Sequence, residues 1–253
     1  MEHAPQQEHH QAPHPAPHKA AIKSSVQQVP YVVFVTGTLA SGKSSACAYL
    51  QQLGATYISA DAISHELLGA TCARDDALIA ALCRHFGSDI LAQDGSINRT
   101  QLATRAFSSA QAQTTLEQLQ IPVIQAHIEK KLLAAGARIV PAAPSTPTRT
   151  NASFTRCVVV ELPLLEKVPA LRRYAHEILC IVAPTALRAA RGRIRASSAF
   201  DAHVTVHQSA HQYAQQAAEF MRIHAATTCI LNAASLPLLH KHLLMWYHSR
   251  IAV

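Results

Sequence analysis

Apolar residues recur along the 253-residue chain with two periods. Tyr31 to Thr36 reads YVVFVT, a β-branched and aromatic run without polar interruption. Such a run predicts a strand buried on both faces. A glycine-rich turn follows, and then Ala46, Leu50 and Leu53 recur at i, i+4 and i+7. That is a helical spacing, closed by Gly54. Ala55 to Ser59, ATYIS, predicts a second strand. Strand, turn, helix and strand make a βαβ unit, and a βαβ unit requires a parallel sheet.

From Ala62 to Leu133 the helical period takes over. DDALIAALCRHF is amphipathic. GSDILAQDGSINRTQLATRAF reads as helical pieces around a turn at Asp94-Gly95. AQTTLEQLQIPVIQAHIEKKLLAAG reads as a longer helix disturbed at Pro122. Val140 to Arg156 is rich in Pro, Ala, Ser and Thr and predicts a surface loop without a packing role. CVVVEL (Cys157 to Leu162, closed by Pro163) and EILCIVA (Glu177 to Ala183) predict a third and a fourth strand. A basic helical stretch follows from Pro184. TTCILNA predicts a last strand and LPLLHKHLLMWYHSRI a terminal helix. The chain shows no internal repeat.

These elements imply an α/β protein in three layers, α/β/α, around a parallel sheet. The expected division is a tail over 1–28, a sheet core over 29–61, 136–187 (with a loop at 140–156) and 223–253, a helical insertion over 62–135, and a basic helical segment over 188–222. The tail is rich in Pro, His, Gln and Ala, with five histidines in its first eighteen residues. It reads as solvated low-complexity chain, with no apolar core of the kind a secretory signal needs.

Composition changes this picture little. Lys and Arg exceed Asp and Glu by seven, which favours anionic partners. No aromatic-basic motif points to nucleic acid, and no apolar run is long enough for a bilayer. The six cysteines form no C-x-x-C pair. They read as reduced, buried residues of a cytoplasmic protein, with a monomer favoured.

The chemistry concentrates at Gly37, Thr38, Leu39, Ala40, Ser41, Gly42, Lys43 and Ser44, which satisfy G-x-x-x-x-G-K-[ST] between a strand and a helix. The glycines let the backbone curl so that successive N–H groups face phosphate oxygens. The helix presents its positive N-terminal end to the same anion. Lys43 would bridge the terminal phosphates of ATP, and the Ser44 hydroxyl would ligate Mg²⁺; Ser45 belongs to the same cradle. Two carboxylates fall just past strand ends, where ligands of open α/β sheets lie. Asp61 suits a general base toward an acceptor hydroxyl, a contact to a Mg²⁺-bound water, or an N-cap for a helix beginning at Ala62. Glu161 suits a contact to a Mg²⁺-bound water, or else a salt bridge or a solvated strand end. Arg188, Arg191 and Arg195 share one helix face and could neutralise charge on a transferred group, or simply be solvated. Gly192 lies among them. His203, His207 and His211, at i, i+4 and i+8, read as a solvated helix face. Trp246 and Tyr247 read as packing residues.

Taken in order, these residues resemble the dephospho-CoA kinase family from Tyr31 to the terminal helix. In that family the second strand runs into D-A-D, whose last Asp is taken as the base; Asp61 holds that place, and Ser59 stands for the first Asp. Gly95, Asn98, Arg99, Leu102, Phe107, Leu116 and Glu117 match the helical region that binds dephospho-CoA, with Arg99 a candidate contact or a surface ion-pair partner. Pro163, Leu164 and Leu165 match the family's Pro-Leu-Leu, with Glu161 two residues before it. Arg191 and Arg195 match the paired lid arginines. Gln216, Arg222, Ala226 and Asn232 match later positions, with Thr227 replacing an Asp. The resemblance implies ATP-dependent phosphorylation of the ribose 3′-hydroxyl of dephospho-CoA with Mg²⁺. Catalytic residues would be Asp61, Lys43, Arg191 and Arg195. Asn232 would join the ATP site, and Asp61, His65, Arg99 and Glu161 the acceptor site. The departures are Gly37-Thr38-Leu39-Ala40 for Gly-Gly-Ile-Gly, Ile121-Pro122 for His-Pro, His65 for a basic residue, and Glu166 one place early. They keep two alternatives open: a nucleoside or nucleoside-monophosphate kinase, or a catalytically weak nucleotide-binding protein.

Overall fold

The computed structural model describes residues 29–140, 154–195, 228–233 and 235–252. The His-rich tail, most of the expected lid, His203, His207, His211, Gln216, Arg222, Ala226 and Thr227 lie outside them. Strands β1 (Tyr31–Thr36), β2 (Thr56–Ser59), β3 (Cys157–Glu161), β4 (Glu177–Val182) and β5 (Thr228–Leu231) form one sheet in the order β2-β3-β1-β4-β5. Every pairing is parallel.

The strands are apolar on both faces because both are covered. Val32, Phe34, Val158 and Val160 point into one core with Ile58, Ile63, Leu67, Leu82, Ile128 and Leu132. Ile58 lies on β2, Ile63 and Leu67 on α2 (Ala60–Leu68), Leu82 on α3 (Asp76–Phe86), and Ile128 and Leu132 on α5 (Ala110–Ala134); α4 (Arg99–Ala106) adds Leu102 and Ala106. Val33, Val35 and Val159 point the other way, onto Ala46 and Leu50 of α1 (Lys43–Gln52). The same core takes Leu239, Leu243, Trp246 and Tyr247 of the terminal helix, α7 (Leu236–His248). Between β4 and β5 the chain carries α6 (Thr185–Arg195). Two cores on opposite faces of a parallel sheet are the three-layer architecture that the alternation predicts.

Several expectations need correction. Pro122 does not interrupt α5, which runs unbroken for 25 residues. A proline removes one intrahelical bond, but here Leu116, Leu119, Ile121, Val123 and Ile124 pack along the core and Ile128 and Leu132 are fully buried, so packing holds the helix through the gap. The segment before α4 is not helical beyond one 3₁₀ turn at Ser88–Ile90. Leu91 and Ile97 instead form an antiparallel bridge around Gly95, at φ 79°. Phe154, at the end of the supposedly non-packing loop, bridges Ile251 and meets Tyr31 edge-on at 5.0 Å. Of the six cysteines, all free thiols, Cys47, Cys157 and Cys180 are buried, but Cys72 and Cys229 are exposed. Trp246 and Tyr247 are packing residues, as expected. Among the described residues, no helix is long and apolar enough to cross a membrane.

The amino-terminal edge of the sheet is fastened by one buried carboxylate, Glu177 at the start of β4, 4% exposed. It accepts hydrogen bonds from Tyr31 Oη (2.5 Å), Trp246 Nε1 (2.9 Å), Arg250 Nε (3.0 Å) and Thr228 Oγ1. Arg250 lies over the Trp246 ring at 5.6 Å. Burial alone would raise the Glu177 pKa, but the donors from Thr228, Trp246, Tyr31 and Arg250 outweigh it and hold the carboxyl below its ordinary value. One charge therefore ties β1, β4, β5 and α7 together. Glu177→Gln is expected to cost about 2–3 kcal/mol of unfolding free energy at neutral pH, the scale for a charged hydrogen-bonding group lost from a buried site. Because the folded pKa is depressed, the stabilisation is complete above the unfolded value of about 4.3 and fades as pH falls through the folded one. Urea titrations at pH 7 and below about pH 4 should therefore show the wild-type chain losing its advantage over the variant.

Candidate active site

At the opposite edge, strand register sets the geometry. Val35 of β1 pairs with Glu161 of β3, and Glu161 pairs with Ser59 of β2. The chain that leaves β1, the Glu161 carboxylate and the start of α2 therefore stand level beyond the carboxyl ends of neighbouring strands. With neighbouring strands about 4.8 Å apart, the strand ends that feed the phosphate loop and Asp61 are roughly 10 Å from each other.

The loop itself follows from two glycines. Gly37 has φ 141°, and a Cβ there would run into the Ile181 carbonyl of β4. Gly42 has φ 98° and occupies the N-cap of α1 without any side-chain cap. Since the first N–H groups of a helix lack intrahelical partners, this end is built for an anion. Lys43 is 8% exposed, and its Nζ donates to the carbonyls of Gly37 (3.2 Å) and Thr38 (2.9 Å). The hydroxyls of Thr36, Thr38 and Ser41 are buried around it without a hydrogen-bond partner. Ser45 is half-buried and Leu39 exposed. Asn232, just past β5, clamps the loop: Nδ2 donates to the Ser41 carbonyl at 2.8 Å, and Oδ1 accepts from Arg191 Nη2 at 3.4 Å. Arg188 is buried rather than solvated, with its Nε on the Ala183 carbonyl at 3.0 Å. The Arg195 backbone closes α6, and its side chain lies outside the described residues.

Glu161, 4% exposed, bridges two layers. Its Oε1 accepts from Ser44 Oγ at 2.7 Å, and its Oε2 accepts from Tyr57 Oη. Burial first, then the bond to Glu161, raise the Tyr57 pKa well above that of an ordinary phenol, so the donor keeps its proton. The sequence reading did not single out Tyr57. The signal was its parity: two residues before Ser59, it lies on the strand face that α1 covers.

Asp61 is not the helix cap. The helix begins at Ala60, and Ser59 caps it, its Oγ accepting from Ala62 N at 3.1 Å. Asp61 sits exposed in the first turn. One turn on, His65 accepts from Arg99 Nη1 at 2.7 Å. Burial first and then the Arg99 charge lower the His65 pKa, with Asp61 opposing. His65 is therefore a neutral acceptor, and the positive charge here is carried by Arg99, the first residue of α4. The structure thus joins Lys43, Ser44, Glu161, Asn232 and Arg191 in one set, and Asp61, His65 and Arg99 in a second beside it.

A family model described as dephospho-CoA kinase matches residues 31–237, spanning the phosphate loop, Asp61, Arg99, Glu161 and Asn232. The chain belongs to the dephospho-CoA kinase family. It is 30% identical to the dephospho-CoA kinase of Neisseria gonorrhoeae over 204 residues, 81% of this chain and 84% of that one. It is 35% identical to that of Aggregatibacter actinomycetemcomitans and 37% identical to that of Idiomarina loihiensis, over 40% and 44% of this chain. Those two alignments span about half of the relatives' length, 47% and 52%. Among solved structures, TT1252 from Thermus thermophilus superposes with a TM-score of 0.59 at 22% identity, covering 89% of this chain and all of that one. Dephospho-CoA kinase from Campylobacter jejuni superposes at 0.54 and 22%, covering 88% and 98%. Both likenesses show the fold, that of P-loop kinases.

Within a dephospho-CoA kinase pattern, Ala40 stands where a glycine is usual. It is the only non-glycine with positive φ among the described residues, at 58°. An L-residue in that conformation is strained by about 1–2 kcal/mol, which glycine escapes at some entropic cost. Ala40→Gly is accordingly expected to raise unfolding free energy by about 0.5–1 kcal/mol, measured by urea denaturation.

Proposed function

We propose that the protein transfers the terminal phosphoryl group of ATP to the ribose 3′-hydroxyl of dephospho-CoA, releasing ADP and coenzyme A. The observation that carries this is the placement of Asp61. Its carboxylate is not needed as a helix cap, and it stands past the same sheet edge as the phosphate loop. Family membership supplies the acceptor, and Arg99 with His65 supplies a polar wall on the acceptor side of Asp61.

In this reading the triphosphate lies on the loop backbone and the α1 N-terminus. The acceptor hydroxyl approaches from the side of α2 and α4. Its oxygen forms a bond to the γ-phosphorus, the bond from that phosphorus to the bridging oxygen of ADP breaks in line, and Asp61 takes the hydroxyl proton. Lys43, Arg191 and Arg195 offset charge on the transferred group. Ser44 and Glu161 are hard oxygen donors of the kind Mg²⁺ prefers. They fit that ion, Ser44 as a direct ligand and Glu161 through water. The metal would neutralise phosphate charge when bound. Arg99 would hold an anionic part of dephospho-CoA, and Asn232, by fixing Ser41 and Arg191, would keep the ATP side in shape.

Asp61→Asn is expected to lower turnover about 10²–10⁴-fold, the range for a positioned general base, while ATP binding is kept. A coupled assay of ADP release, run with dephospho-CoA and in parallel with nucleosides and nucleoside monophosphates, measures this. Near wild-type turnover in the variant would remove the base assignment, and preference for another acceptor would replace the substrate.

A further inference from the structure

Mg²⁺ sites depend on how their oxygen ligands are aimed, and here the aiming passes through a residue that no motif contains. We propose that Tyr57 is a positioning residue for the metal-nucleotide complex: it fixes the Glu161 carboxylate, and Glu161 in turn fixes Ser44. The proposal rests on the phosphate-loop reading given above.

The two Glu161 oxygens are divided between two donors from different layers. Oε2 takes the Tyr57 phenol from the neighbouring strand, and Oε1 takes the Ser44 hydroxyl from α1. A carboxylate held by one donor can still swing about its last bond. Held at both oxygens from different directions, its plane is set. The consequence falls on Ser44. A serine hydroxyl has one proton and two lone pairs. With the proton committed to Oε1, the lone pairs are left to point away from Glu161, as a direct metal ligand requires. Ser44 itself is exposed while Glu161 is buried, so the anchoring side of this chain is dry and the ligating side is open.

The neighbouring residues leave this task to Tyr57. Ser59 is level with Glu161 in the sheet, but its oxygen caps α2 and its hydroxyl hydrogen-bonds the Tyr57 phenol. Lys43 donates to loop carbonyls. Among the described residues, the hydrogen bonds Glu161 accepts are those from Ser44 and Tyr57. Groups that orient metal ligands from behind typically matter by 10–100-fold in metal affinity or activity.

Tyr57→Phe tests this, because it keeps the half-buried ring on an edge strand and removes only the donor. Two affinities separate positioning from mere packing. One is Mn²⁺ binding to the complex with a non-hydrolysable ATP analogue, read by electron paramagnetic resonance. The other is ADP binding in EDTA, read by calorimetry. The expected result is Mn²⁺ affinity about tenfold weaker, with metal-free ADP affinity unchanged and thermal unfolding close to wild type. Unchanged Mn²⁺ affinity would overturn the proposal, and so would both affinities falling together, the mark of a general structural defect. Failure of the wild-type chain to bind Mn²⁺ with the analogue would overturn the phosphate-loop reading and this proposal with it, and it would show in the wild type rather than in the variant.

Discussion

The parallel register of β1, β3 and β2 is the constraint on which the site depends. Val35, Glu161 and Ser59 are level, so three chain segments turn out of the sheet side by side. Each turn brings a different chemistry: a backbone cradle after β1, a buried carboxylate at the end of β3, and an exposed carboxylate after β2. A slip of one residue in either pairing would reverse the faces of every side chain in the moved strand. Glu161 would then face the insertion core instead of Ser44. Because VVFV and CVVV are apolar and buried on both faces, the cost of that slip falls on Glu161, which would lose its donors Ser44 and Tyr57.

Two buried acids mark the two ends of this sheet, and their surroundings separate their tasks. Glu177 at the amino end accepts from Tyr31, Thr228, Trp246 and Arg250. Its charge is answered locally by a cation and three neutral donors, which is the arrangement of a structural clasp. Glu161 at the carboxyl end accepts only neutral hydroxyls among its described hydrogen bonds, from Ser44 and Tyr57. The clasp at one end keeps β1, β4, β5 and α7 in place, and that in turn holds Asn232 and Ile181 against the loop at the other end.

Much of this was legible from residue order. Strands carried their signal because burial on both faces leaves unbroken apolar runs. The phosphate loop carried its own because glycine spacing reports backbone shape directly. At Pro122 the local helix-breaking propensity points the wrong way, because the packing of α5 along the core overrides it. Asp61 was ambiguous because Ser59 and Asp61 are both capping residues, and only the position of the first helical turn decides between them. For Tyr57, parity gives the strand face but not the partner. Its partner lies 104 positions away, and strand register, which brings them together, is a tertiary property that no local pattern encodes.

Departures from the family pattern at the acceptor side also make physical sense as a group. Ser59 replaces an acid and His65 replaces a base, within one short segment. Either change alone would alter the charge beside Asp61 by one unit. Together they cancel, because Ser59 is neutral and burial beside Arg99 keeps His65 neutral. The formal charge of this segment is therefore what the family pattern would give, although fewer of its members are ionised. What changes is how the remaining charges are held. Ser59 supplies a helix cap where an acid would also have served. His65 accepts from Arg99 where a cation would have repelled it, so the guanidinium is drawn toward α2. Arg99 is then the positive charge held against His65, one helical turn from Asp61.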